Sequence, residues 1–254
     1  MNYWAPCDNL EAWFHVCESS RRVVDISSEP FITDGPVSFF VNVLCVLLMY
    51  GSAYLANTGA MLFGKWIPNK TGMPVIIIDG GRNYSDGYRI LGDGKSWNGL
   101  IGGGIVSGIL FIMAHKLWNN DNFEAPFVDP LLYADPSDWF WLFDGDFGSI
   151  SAAFIMGFIL GVACMLGDLF GSFIKRRRGL KREGDESSEA PLLDTIPFAV
   201  AIFITSFLLF GDQIITHPNL VEEILFLLIV TPFIHRSFNI LGYKFGLKEV
   251  PYYF

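Results

Sequence analysis

The segment Arg89-Ile90-Leu91-Gly92-Asp93-Gly94-Lys95-Ser96-Trp97-Asn98-Gly99 packs two cations, a carboxylate, a hydroxyl and three glycines into eleven residues. It runs directly into the apolar stretch LIGGGIVSGILFIMA. Gly94-Lys95-Ser96 matches the end of a nucleotide P-loop, but that pattern needs a further glycine at position 89, which is Arg89. The chemistry on offer is still that of phosphate handling. Gly92 and Gly94 open backbone N–H groups, Lys95 and Arg89 supply positive charge, and Asp93 offers a hard oxygen ligand for a metal.

The seventeen residues Asp79 to Lys95 hold three carboxylates (Asp79, Asp86, Asp93) and three cations (Arg82, Arg89, Lys95) beside Asp-Gly turn pairs. A second constellation begins at Gly167-Asp168. On a helix, Asp168, Ser172 and Lys175 stand at i, i+4 and i+7, on one face. A carboxylate at the end of an apolar span is costly unless paired or metal-bound. The run Lys175-Arg176-Arg177-Arg178 follows it, and contact with anionic lipid head groups accounts for Arg177 and Arg178. A third piece, Asp194, opens another apolar segment, where it serves as an N-cap or as part of the site. Together these residues form the inventory of metal-assisted phosphoryl or nucleotidyl transfer. They do not suit acyl transfer: there is no nucleophile elbow and no His in these loops. His15, His115, His217 and His235 are scattered, and structural roles are expected for them.

The chain that must position them is a membrane protein by composition. Of its 254 residues 52% are hydrophobic, and mean hydropathy is +0.40. Five apolar segments suit a hydrocarbon core of about 30 Å: 37–57, 100–117, 150–173, 196–210 and 221–241. The expected fold is all-α, a polytopic bundle of about five transmembrane helices. With the N-terminus outside and the C-terminus cytoplasmic, the inner segments 58–99, 174–195 and the tail after 235 hold 14 of the 17 Lys and Arg. Only Arg21, Arg22 and Lys116 fall outside, which is the bias that sets topology. No internal repeat supports a transporter, and a transport pathway or scaffold would place charges within the spans, which hold almost none.

Residues 1–36 read as an acidic N-terminal extension without the basic region of a cleaved signal peptide. Leu10, Trp13, Phe14 and Cys17 repeat at helical spacing within it. Residues 37–254 form the membrane-embedded domain, into which an acidic, aromatic outer loop, 118–149, is inserted. Asp144-Gly145-Asp146 lacks the rest of a calcium-loop pattern. Cys7, Cys17, Cys45 and Cys164 form no CxxC pair, so no zinc or redox site is expected; Cys7 and Cys17 are expected as unpaired thiols, with a pair open to them only in an oxidising space.

DGYRILGDGKSWNGLIGG (86–103) resembles the DGRRILGDGKTWRGxxGG signature of archaeal CDP-archaeol synthases, integral-membrane relatives of CDP-diacylglycerol synthases. GDLFGSFIKRRRGLKRE (167–183) is similar to that family's GDxxxSFxKRRxxxKRG segment, and the tail 239–252 resembles its NxxAYxxGLKxVPW ending. The chain departs from the family at Tyr88 and Asn98, where Arg is usual, at Ser96 for Thr, and at Pro197, where a second acid often follows Asp194. The resemblance implies a CTP:2,3-bis-O-geranylgeranylglycerol-1-phosphate cytidylyltransferase that makes unsaturated CDP-archaeol and pyrophosphate. Diacyl phosphatidate as the acceptor is the near alternative. It implies catalytic roles for Asp93, Lys95, Asp168 and Lys175. Arg89, Gly92, Gly94, Ser96, Ser172 and Arg176 would bind nucleotide, and Asp86, Asp93, Asp168 and Asp194 would supply Mg²⁺ ligands. The expected partners are CTP, an isoprenoid glycerol phosphate lipid and the membrane, with no nucleic acid. A homo-oligomer is left open. The expected location is the cell membrane, multi-pass, with the site on the cytoplasmic face.

Overall fold

A computed structural model describes residues 38–118, 126–131, 149–180, 190–210 and 220–244. The N-terminal extension with its periodic segment and Cys7 and Cys17, most of the outer loop including Asp144 and Asp146, and the tail from 245 lie outside the described residues. The fold is all-helical, with no strand among the described residues. Helices stand at all five expected positions: α1 (Ser38–Tyr54), α4 (Trp97–Trp118), α5 (Ser149–Arg177), α6 (Ile196–Phe210) and α7 (Val221–Lys244). Four helical runs are both long and apolar enough to cross a bilayer: Ser38–Thr71, Trp97–Trp118, Ser149–Arg177 and Leu192–Leu209. The 24-residue α7 has the length, but it carries Glu222 and Glu223 in its first turn, Lys244 in its last, and Arg236 between them.

The first run differs from expectation. It does not end at Asn57 but continues through α2 (Ala56–Met61), a π-helical turn (Leu62–Trp66) and α3 (Ile67–Thr71). The wide turn lies just before Pro68, whose ring would otherwise press on the carbonyl of Gly64 and which has no N–H to donate. The helix stops at Gly72, whose φ of 72° a β-carbon would disfavour, with the Gly72 N–H on the Pro68 carbonyl at 2.8 Å. Lys65 and Lys70 therefore sit on a helix, with Lys70 over the Trp66 ring at 4.0 Å. The loop that carries the chemistry shortens to 72–96.

Small residues set the helix spacing. A β-carbon on Gly103 of α4 would lie 2.9 Å from Met165 Cγ and 3.0 Å from the Ala56 carbonyl. One on Gly108 would meet Phe154 at 2.8 Å, and one on Gly161 of α5 would meet Ser107 Cβ at 2.5 Å. The α4 glycines are thus packing positions, which bring α4 against both the first run and α5. At the far end of α5, methyls on Gly167 and Gly171 would overlap the Pro197 and Leu193 carbonyls. That contact holds the start of α6 beside Asp168 and Lys175.

The core runs through Val46, Met49, Tyr50 and Ala53 of α1, Met156 and Leu160 of α5, Ile202 of α6 and Leu227 of α7. Two hydroxyl pairs cross between helices, Tyr50 with Ser206 at 2.9 Å and Tyr54 with Thr231 at 3.3 Å. Cys45 and Cys164 are buried free thiols. At the opposite end of α4, His115 Nδ1 meets the Asp129 carboxylate at 2.9 Å, a buried pair that ties the 126–131 segment to the bundle.

Gly103→Ala is expected to lower stability in detergent by about 1–3 kcal/mol through overpacking. Gly51→Ala, at a helical position with nothing within 4 Å of its added carbon, should be neutral or stabilising by about 0.5–1 kcal/mol. Thermal unfolding of both variants measures the contrast; equal shifts would contradict the packing role.

Candidate functional site

The loop 72–96 is built on the start of α4. Trp97 donates to the Ile76 carbonyl at 2.8 Å and Ile78 to the Lys95 carbonyl at 2.9 Å. Asn98 clamps the same strand-like stretch, accepting from Ile76 N–H at 2.9 Å and donating to the Pro74 carbonyl at 3.3 Å. Ser96 caps α4: its hydroxyl accepts from the Gly99 N–H at 3.1 Å.

Inside this frame the chain folds around one carboxylate. Asp79 accepts hydrogen bonds from the N–H groups of Gly81 (3.0 Å), Leu91 (3.0 Å) and Gly92 (2.9 Å). Arg89 adds two more, from Nη2 at 2.7 Å and Nε at 3.3 Å. The Asp79 side chain is 1% exposed. Burial by itself would raise its pKa. The Arg89 guanidinium and the amides of Gly92, Leu91 and Gly81 outweigh burial and hold the carboxyl well below the usual carboxylate range. Arg89 spans from Asp79 to Asp93, whose carboxylate it meets at 2.8 Å and which is 63% exposed. Asp93 is thus the acid of this loop most open to a ligand.

Helix α5 brings the second set. Its phase puts Asp168, Ser172 and Lys175 on one face, as the spacing predicts, with Ser172 and Lys175 buried. Lys95 reaches from the loop to Asp168, and Lys175 reaches Asp194 in the 3-10 turn Pro191–Asp194. Arg176 donates to the Leu180 carbonyl at 2.7 Å and to the Leu91 carbonyl at 3.4 Å. Gly92 lies under that guanidinium, where an added carbon would sit 3.4 Å from Arg176 Nε. The loop, the end of α5 and the 191–194 turn therefore meet at one end of the bundle. Every residue assigned to the site from sequence lies in these segments.

Two features escaped the sequence reading. The first is the central place of Asp79. The second is Arg177, assigned with Arg178 to lipid head groups. Arg178 is exposed, but Arg177 turns inward. It donates to Asp86 Oδ1 at 2.9 Å and to the carbonyls of Tyr88 (3.2 Å) and Arg89 (2.6 Å). Only an arginine fork reaching a backbone 88 residues away explains that choice, and no local pattern announces it.

Among the described residues no group of three acids, histidines or cysteines would enclose a metal by itself. Asp79, Asp86, Asp93, Asp168 and Asp194 each have a cationic partner. The donor set still suits a hard cation such as Mg²⁺, which is usually held by one or two carboxylates together with substrate phosphates. Asp93, Asp86 and Asp168 are the partly open carboxylates, and the Lys95 ion pair joins the segments that carry Asp93 and Asp168.

The profile of a family described as CarS-like, CDP-archaeol synthase, matches residues 39–129 and 143–252. A cytidylyltransferase family profile matches residues 93–188. A CDP-archaeol synthase of Pyrococcus horikoshii is 36% identical over 200 residues, 79% of this chain and 91% of that protein. One from Methanospirillum hungatei is 35% identical over 200 residues, 79% of this chain and 98% of that protein. A solved structure of an intramembrane enzyme for archaeal membrane lipid biosynthesis is similar with a TM-score of 0.49 and 22% identity, covering 77% of this chain and 92% of that one.

The depressed pKa of Asp79 fixes the sign of a pH dependence. Its contribution to stability is complete above the unfolded carboxylate value of about 4 and is lost as pH falls toward the folded value. Asp79→Asn should cost about 1–3 kcal/mol at neutral pH and should flatten the loss of stability below about pH 4. Thermal unfolding of both proteins across that range is the check. Parallel pH profiles would contradict the assignment.

Proposed function

The chain belongs to the CDP-archaeol synthase family, and on that premise we propose that its charged face joins CTP to 2,3-bis-O-geranylgeranylglycerol 1-phosphate. A phosphate oxygen of the lipid attacks the α-phosphorus of CTP. The bond from that phosphorus to the bridging oxygen of the β-phosphate breaks, giving the CDP-lipid and pyrophosphate. The acceptor phosphate is already ionised near neutral pH, so no strong general base is needed. That agrees with the absence of His from the loop.

The observation that carries this reading is the convergence of Lys95 with Asp168 and of Lys175 with Asp194, beside the Arg89–Asp93 pair. Lys95, Lys175, Arg89 and Arg176 bind the triphosphate and stabilise charge on the departing pyrophosphate. Gly92 and Gly94 let the backbone come close to phosphate oxygens. Ser172 orients an oxygen, and Ser96, while capping α4 with its lone pair, keeps its proton to donate. Asp93 and Asp168, with Asp86 or Asp194 assisting, would hold Mg²⁺, which when bound supplies charge neutralisation and a template for the triphosphate. The cations gathered at this end favour its placement on the cytoplasmic side of the cell membrane, with the N-terminus outside. The cytidylyltransferase match covers residues 93–188, from Asp93 through the basic run after Lys175, and names no acceptor; diacyl phosphatidate is the second reading.

Asp93→Asn and Asp168→Asn are each expected to lower CTP-dependent turnover at least about 100-fold while the helices stay folded. Steady-state rates with circular dichroism on the same samples test this. Near-normal rates in both would refute the metal assignment.

A further inference from the structure

Resting on the nucleotide-binding reading of loop 72–96, we propose that Arg177 is a positioning residue that locks this loop to the end of α5 and so sets the affinity for CTP. The loop has one open stretch, Tyr84 to Arg89, whose own bonds are few. Tyr84 donates to the Tyr88 carbonyl at 2.8 Å, Gly87 to the Tyr84 carbonyl at 3.0 Å, and Tyr88 to Asp86 Oδ1 at 3.1 Å. These bonds close a turn on itself and do not attach it to the bundle.

Arg177 makes that attachment. One guanidinium binds the Asp86 side chain and the carbonyls of Tyr88 and Arg89 together. Its plane lies over the Tyr84 ring at 4.6 Å and the Phe173 ring at 5.1 Å, and those rings meet edge to face at 5.8 Å. The side chain is 18% exposed, so water replaces little of this if it is lost. The bond to the Arg89 carbonyl matters most for the site. It fixes the backbone of the residue whose side chain bridges Asp79 and Asp93, two and six positions before Leu91 and Lys95 present their own groups. A lysine has the charge of Arg177 but no planar fork, and cannot bind two carbonyls and a carboxylate in one plane.

This separates positioning from charge. Head-group attraction survives a change to lysine, whereas the lock does not. Amide hydrogen exchange over residues 83–92 and the CTP dependence of turnover would be measured on the full-length protein in detergent, for wild type, Arg177→Lys and Arg178→Lys. In Arg177→Lys, exchange is expected to speed up about tenfold, and KM for CTP to rise about tenfold with kcat within about threefold. Arg178→Lys should match wild type in both. Unchanged exchange, or faster exchange with unchanged KM, in an active wild-type background would overturn the role of Arg177 alone. A folded wild type that neither binds nor turns over CTP would instead remove the nucleotide reading, and this proposal with it. If Arg177→Lys does not fold, Tyr84→Leu, which removes the ring under the guanidinium, should move exchange and KM in the same direction; no movement there would also overturn the lock.

Discussion

A charge withdrawn from water has to be met by an opposite charge or by hydrogen bonds, and at one end of this helix bundle that requirement organises the whole site. Asp79 with Arg89 closes the loop, Lys95 with Asp168 ties the loop to α5, Asp86 with Arg177 ties it again, and Lys175 with Asp194 ties α5 to the segment before α6. The Lys175–Asp194 pair has both side chains less than a tenth exposed. Removing one member of a pair so buried costs about 3–5 kcal/mol, because its partner is left uncompensated. The same pairs keep cations near one another without a ligand. On the proposed reading, a triphosphate would bring its own negative oxygens to Lys95 and Arg89 and leave Asp168 and Asp93 to a cation.

Backbone packing makes this arrangement reachable. Gly103, Gly108 and Gly161 let α4 and α5 approach closely, and Gly167 and Gly171 let α6 begin against α5. Some polar groups inside the bundle pair helix to helix, as Tyr50 does with Ser206. Among the described residues, the ion pairs of loop 72–96, the end of α5 and the 191–194 turn gather at one end of the apolar bundle.

Much of this was legible in the sequence. The apolar segments marked every long helix, and the i, i+4, i+7 phase of Asp168, Ser172 and Lys175 placed them on one face. The spacing of Gly92, Asp93, Gly94 and Lys95 marked the loop. What escaped had no local signature. Continuation of the first helix to Thr71 depends on a π-turn that makes room for Pro68. The roles of Asp79 and Arg177 are bonds to backbone groups of other segments, and a side chain's choice of a distant carbonyl leaves no periodicity to read. The departures from the family signature also acquire physical meaning. Asn98 stands where a cation is usual and clamps the 74–76 stretch to α4. Tyr88 contributes its carbonyl to Arg177, a contact indifferent to its side chain.

Cytidylyl transfer to an ether-lipid phosphate is tested most directly by a product assay. Purified protein in detergent would receive radiolabelled CTP and Mg²⁺ with an unsaturated isoprenoid ether-lipid phosphate, with a diacyl phosphatidate, or with no lipid. Label is expected in the lipid phase with the ether acceptor, and none without lipid. Label that appears only with the diacyl acceptor would contradict the substrate assignment, and no lipid-phase label from demonstrably folded protein would contradict the catalytic claim itself.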